Sequence, residues 1–189
     1  CGAYADANAF VAAQKESAIL YGTTHLGNID DVSAFMFTKK GDMKTPKIVP
    51  FDGGGELATQ LVAGAVDAAV LNLAEAGSQI AAGDICPIVV LANERLAGLP
   101  NVSTAKEMGI DVSFSTVRGF AVHKDTPDAI AEKIEAALLK SMNHSIYQGF
   151  LESVGLDSTS VVGSDEWGNQ ISTMVVDMES ALKELGFIE

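Results

Sequence analysis

Arginine is nearly missing from this chain. Among 189 residues only Arg95 and Arg118 carry a guanidinium, and Lys plus Arg total 12 against 25 Asp plus Glu, a net charge of −13. A surface of that sign repels phosphate backbones and argues against a nucleic-acid partner. It leaves small ligands open, because a local site can be electropositive on an acidic protein. Cysteine is equally scarce, with only Cys1 and Cys86 present. There is no CxxC pair and no Cys/His grouping at metal-ligand spacing, so no metal site is expected. No apolar run approaches the length of a bilayer span, so the chain is not read as membrane-spanning. Also lacking are the G-x-G-x-x-G fingerprint, a Gly-Lys-Ser/Thr phosphate loop, a Gly-x-Ser-x-Gly elbow and any convincing nucleophile–base pair. Neither a cofactor nor an enzyme is expected.

What is present is ample apolar content, 48% of the residues, enough to build one large domain or two small ones. Cys86 falls in Cys86-Pro-Ile-Val-Val-Leu91, which reads as a buried strand and gives the thiol a packing role; pairing with Cys1 is the alternative. Cys1-Gly2 reads as a cleavage boundary, with the lipid-bearing start of a lipoprotein as the other reading. No signal peptide is present to announce a compartment.

The most informative stretch is Lys47-Ile-Val-Pro-Phe-Asp-Gly-Gly-Gly-Glu-Leu57. It reads as a strand, a glycine turn and a helix whose apolar face holds Leu57, Leu61 and Val62. Such a turn leaves backbone N–H groups at a helix N-terminus, where the dipole favours an anion and the missing Cβ atoms allow close approach. Taken alone, it is more often an idle connection.

The surrounding order shifts the balance toward a binding role. A short helix at 9–13 precedes the strand Ala18–Tyr21. The small, polar loop Gly22–Asn28 leads into a helix from Asp30 to Lys39, capped by Asn28 or Asp30, with Val32, Phe35 and Met36 as its apolar face. After the glycine turn and its helix come the strand Ala68–Leu71, a helix from Asn72–Glu75 to Ala82, and the apolar strand Cys86–Leu91. Strands alternating with helices imply a parallel sheet covered on both faces. Ligands of such sheets bind beyond the carboxyl ends of the strands. The loops leaving those ends are Gly22–Asn28, Asp52–Gly55 and Asn72–Glu75, and together they favour a small-molecule site. Later, 112–122 is extended and a helix starts at Pro127 behind the cap Thr126. Helices over 145–154 and 165–185 follow, the last with Trp167, Ile171, Met174, Val175, Met178 and Leu182 on one face. These helices have too little sheet of their own to cover.

Several stretches in this order resemble the substrate-binding receptors of tripartite tricarboxylate transporters, the Bug family. They are Tyr21-Gly-Thr-Thr-His-Leu-Gly-Asn28, Val49-Pro-Phe-Asp-Gly-Gly-Gly55, Gly64-Ala-Val-Asp-Ala-Ala69 and Glu94-Arg-Leu-Ala-Gly-Leu-Pro-Asn-Val-Ser-Thr-Ala-Lys-Glu-Met-Gly-Ile110, followed by Arg118-Gly119 and Thr126-Pro127. The resemblance implies an α/β fold of the type II periplasmic binding-protein kind. This chain would match the last two thirds of such a receptor. It would hold one complete parallel-sheet lobe (1–113) and the C-terminal helical part of the other lobe (114–189), whose N-terminal part is not in this sequence.

The resemblance also implies a function: holding a carboxylate metabolite between the lobes, outside the cytoplasm, for delivery to membrane subunits. By position, Gly22, Thr23, Thr24 and Gly27 would supply one ligand loop and Asp52, Gly53 and Gly54 another. His25 is a further donor or a surface histidine. Arg118 contacts ligand or, the safer reading, braces the hinge. Asp52 would accept from an ammonium or hydroxyl, hinting at an amino-acid or hydroxy-acid ligand; capping its helix is the equal alternative. Asn72 and Glu75 are read as caps before cleft residues, and Arg95 as a partner of an acidic side chain. Asn28 and Asp30-Asp31 depart from the family's serines and histidine. Two other classes stand beside this one: an effector-binding domain of a transcriptional regulator, and a small α/β enzyme using Asp52, His25 and Glu75.

Overall fold

A computed structural model describes residues 3–189; Cys1 lies outside them, and with it the reading of a lipid-bearing start. The chain opens with α1 (Ala7–Glu16), then alternates through β1 (Leu20–Thr24), α2 (Ile29–Lys40), β2 (Lys47–Phe51), α3 (Gly54–Val62), β3 (Ala68–Ala69) and α4 (Leu73–Ala82). The strands form one parallel sheet in the order β2-β1-β3. β1 is therefore central, pairing Gly22 with Val49 on one side and with Ala69 on the other. Three helices complete the chain: α5 (Asp128–Met142), α6 (Ser145–Ser153) and α7 (Ser164–Leu185). The expected α/β architecture with a parallel sheet is what the structure shows.

Several local expectations shift. β1 runs from Leu20 through Thr24, so Gly22, Thr23 and Thr24 finish the strand rather than open a loop. Cys86–Leu91 is not a regular strand: its one strand-type pairing among the described residues is a parallel bridge between Val90 and Thr104. Pro87 can donate nothing to a ladder there. Cys86 is disulfide-bonded, so it is not a lone packing thiol. Residues 112–122 form no strand; Phe114 N–H donates to Leu91 O at 2.7 Å, and Phe120 and Val122 are exposed beyond it. Pro127 is itself the N-cap of α5, one residue later than the Thr126 cap expected.

The core lies around α2. The spacing of its apolar residues suggests one buried face, yet Val32, Ala34, Met36 and Phe37 are all buried together with Asp30, Asp31, Ser33 and Thr38. The cause is long-range: Met178, Leu182 and Leu185 of α7 pack on the same cluster, and Lys40 Nζ pairs with Glu184 at 2.9 Å. α7 thus covers the side of α2 that the sheet does not reach. Trp167, near its start, lies against Gly119, where a Cβ would come within 2.4 Å of the indole.

On the sheet's other side, Leu57 of α3 is fully buried against the bare backbone of Gly22. A Cβ on Gly22 would stand 2.2 Å from Leu57 Cδ1 and 3.2 Å from both Phe51 and Val66. Gly22→Ala is expected to destabilise the fold by about 1–3 kcal/mol through overpacking, measured as a lower urea midpoint at unchanged m-value.

The long connection after residue 92 is held by the expected Arg95 pairing. Arg95 Nε donates to Glu107 at 3.0 and 2.9 Å, and Nη1 donates to Pro100 O at 3.0 Å. These Arg95 hydrogen bonds, then the Thr104 amide, hold the Glu107 carboxyl below the usual range. With a folded pKa below the unfolded one, the clamp's contribution is complete above the ordinary glutamate range and is lost as pH falls through the lowered value. An NMR titration should place Glu107 below a free glutamate, and Arg95→Ala should return it toward the ordinary range.

Candidate functional site

The parallel sheet brings the loops that follow β1, β2 and β3 to one edge, as expected for ligand-binding α/β sheets. Hydrogen bonds and close contacts join them. His25 N–H donates to Phe51 O at 2.9 Å, tying the first loop to the end of β2. A Cβ on Gly54 would lie 2.4 Å from Glu75 Cδ, so the β3 loop packs directly on the glycine turn. Arg118 Nη2 then reaches Glu75 Oε1 at 3.8 Å, drawing the 113–122 segment to the same place.

The first loop is closed on itself. Thr23 Oγ1 donates to Asp31 Oδ1 at 2.5 Å and is wholly buried. Asp30 Oδ2 accepts from Thr24 N–H at 3.1 Å and from Thr24 Oγ1 at 2.5 Å. Asp31 Oδ2 accepts from Gly27 N–H at 2.7 Å. Asn28 caps α2, accepting from the amides of Asp30 and Asp31 at 2.9 and 3.3 Å while donating back to Thr24. With Asn28 as N-cap, Asp31 stands at N3, and its carboxylate reaches back past the N-cap to the Gly27 amide, one residue beyond the partner a capping box uses. Both acids also sit in the first turn, where the helix dipole favours them.

The second loop is open. α3 begins at Gly54 with Gly53 as its N-cap and no side-chain cap, and Gly54 is itself buried; no side-chain cap therefore takes the first-turn amides at the positive end of the dipole. Asp52 does not cap this helix, which sets aside that reading of it; its side chain is exposed, and its amide donates to Glu56 Oε2 at 3.2 Å. In the third loop Asn72 and Glu75 form the expected capping box on α4, with Glu75 Oε2 accepting from Asn72 N–H at 2.9 Å. Glu75 is more than a cap, since it also fills the space over Gly54 and meets Arg118.

Of the residues expected at a ligand site, the structure therefore places Thr24, Gly27, Asp52, Gly53, Gly54 and Arg118 along one edge. The imidazole of His25 is exposed beside them, on a backbone with φ 56°. Gly22 and Thr23 lie beneath this edge, packed on Leu57 and bonded to Asp31. Arg118, with its side chain 68% exposed, reaches Glu75 of another segment at 3.8 Å, an exposed pair worth about 0–1 kcal/mol. Missed in the sequence was the part played by Asp30 and Asp31, although the N2 and N3 positions after a capping Asn carried that signal. Among the described residues no His/Cys/Asp/Glu group suits a metal ion, and no helix is long and apolar enough to cross a membrane.

Comparisons with known proteins give the family and the fold. Residues 4–184 match the model of the tripartite tricarboxylate transporter family receptor. A UPF0065 protein from the TAR-I ttuE-ttuC′ intergenic region of Agrobacterium vitis is 30% identical over 131 residues, covering 68% of this chain and 38% of the relative. A Rhodopseudomonas palustris structure described with adipate superposes at a TM-score of 0.85 with 17% identity, over 98% of this chain and 62% of that one. MatC of the same organism, with bound malate, gives 0.74 with 21% identity over 95% and 63%. The chain thus spans under two thirds of each protein it is compared with. It belongs to the tripartite tricarboxylate transporter receptor family.

Proposed function

We propose that this chain is the larger part of an extracytoplasmic receptor that binds a small carboxylate metabolite between two lobes and presents it to the membrane subunits of a tripartite transporter. The observation that carries this reading is the uncapped N-terminus of α3 at Gly53–Gly55, set where three strand-end loops meet. A carboxylate placed there receives backbone N–H bonds and the helix dipole without needing a full cation. The solved relatives described with adipate and malate support a carboxylate as the ligand class. Asp52, Thr24, His25 and Gly27 border the proposed position, while Gly22 and Thr23 shape the loop from below.

Residues 1–113 form one lobe on this proposal, and 114–189 complete the other, with the C-terminal part of α7 docked back on α2 of the first. The second assignment draws support from uncovered apolar surface. α5 buries no residue, leaving Ile130 and Ile134 exposed along with Phe120 and Val122. An apolar groove of about 520 Å³ also runs between α7 and Thr116-Val117. The greater length of the relatives supplies chain to cover such surface. Closure of the lobes about a hinge traps the ligand, and Arg118–Glu75 lies where the segments cross. The receptor performs no bond chemistry.

Isothermal titration of the full-length protein with a panel of mono-, di- and tricarboxylates tests this reading. At least one should bind saturably and raise Tm, with no turnover of the bound compound. Gly54→Ala forces its Cβ onto Glu75 and should weaken that binding by about tenfold or more, the scale of one lost charge-assisted hydrogen bond, with a smaller effect on Tm. Binding by no carboxylate, or full binding by Gly54→Ala, would remove the reading.

A further inference from the structure

We infer that Asp30 and Asp31 are specificity-determining residues: built-in carboxylates that fill the donors of the first loop and keep a ligand's second carboxylate off this lobe. The inference rests on the proposed carboxylate-binding reading and narrows its ligand class. It makes no new site, because the two acids are acceptors whose bonds are already made. Thr24 N–H, Thr24 Oγ1 and Gly27 N–H are the donors with which a strand-end loop of this composition would grip an anion, with Thr23 Oγ1 buried beneath them. Each is bonded to Asp30 or Asp31, and both acids are over nine-tenths buried.

An incoming carboxylate would have to displace a side chain already seated in good geometry. It would also meet two negative charges that no ion pair among the described residues neutralises. Like charges at a few ångströms repel strongly once partly desolvated. The glycine turn shares one such bond, Glu56 Oε2 accepting from Asp52 N–H at 3.2 Å, but α3 has no side-chain cap, so the amides of its first turn are left to a ligand. This lobe therefore accepts one ligand carboxylate, at Gly53–Gly55, and presents an acidic face to the rest of the molecule. The ligand class that fits is a monocarboxylate whose far end is neutral or cationic, such as a hydroxy acid or an amino acid. Linear dicarboxylates fit poorly. Specificity then comes from the repulsive element as much as from the attractive one.

The test is calorimetry on the full-length protein with matched pairs, butanoate against succinate and hexanoate against adipate, for the wild type and for Asp30→Ala, which frees Thr24 N–H and Oγ1. The wild type is expected to bind the monocarboxylate of a pair more tightly. Asp30→Ala should then tighten the dicarboxylate by about tenfold or more, the scale of one freed donor to a charged acceptor, with little change for the monocarboxylate. If Asp30→Ala does not fold, Asp30→Asn removes the charge while keeping the shape, and the same shift in ratio is expected. A wild type that prefers the dicarboxylate overturns the inference while leaving carboxylate binding standing, as does a variant with an unchanged ratio. Failure of wild type and variant to bind any member of either pair, or any other carboxylate, overturns both.

Discussion

Two buried carboxylates that no ion pair among the described residues neutralises hold the end of the central strand. Asp30 and Asp31 take the hydroxyl of Thr23, the amide and hydroxyl of Thr24 and the amide of Gly27, so β1 passes into α2 through side-chain bonds rather than a loose loop. A buried charge survives only if its lone pairs are occupied; here neutral donors and a helix dipole supply what a salt bridge would elsewhere. Because β1 pairs on both sides, this junction sets the position of α2, and α2 in turn receives α7. Just beyond the β1–β2 ladder, His25 N–H donates to Phe51 O, tying the same junction to the end of β2.

Much of this order was legible in the residues. The alternation of β-branched runs with helical spacing marked the parallel sheet, the glycine turn marked the start of α3, and Asn72 with Glu75 marked the cap of α4. What escaped was long-range. Phe35 and Met36 gave a one-sided apolar face, whereas α2 is buried nearly all round because α7 returns from far along the chain to cover it. Cys86–Leu91 had the composition of a strand but finds only one bridging partner, at Thr104. Gly22 to Thr24 carried loop-like residues, yet two neighbouring strands draw them into the ladder.

The candidate site was legible as a set of loops but not as chemistry. Small residues at strand ends announced where a ligand would approach. They did not announce that one loop already holds two buried carboxylates while the next starts a helix with no side-chain cap. That difference turns on whether a side chain folds back from its own helix onto the loop before it, which composition alone does not decide. Glu75 shows the same limit: its capping role was visible locally, while its seat over Gly54 and its reach to Arg118 depend on three separated segments meeting.

The measurement that bears most directly on the account is a crystal structure of the full-length protein with its tightest-binding carboxylate. The account predicts the carboxylate oxygens on the amides of Gly54 and Gly55, with Asp30 and Asp31 still holding Thr24 and Gly27. A carboxylate seated on Thr24 and Gly27, with the two aspartates turned away, would contradict it.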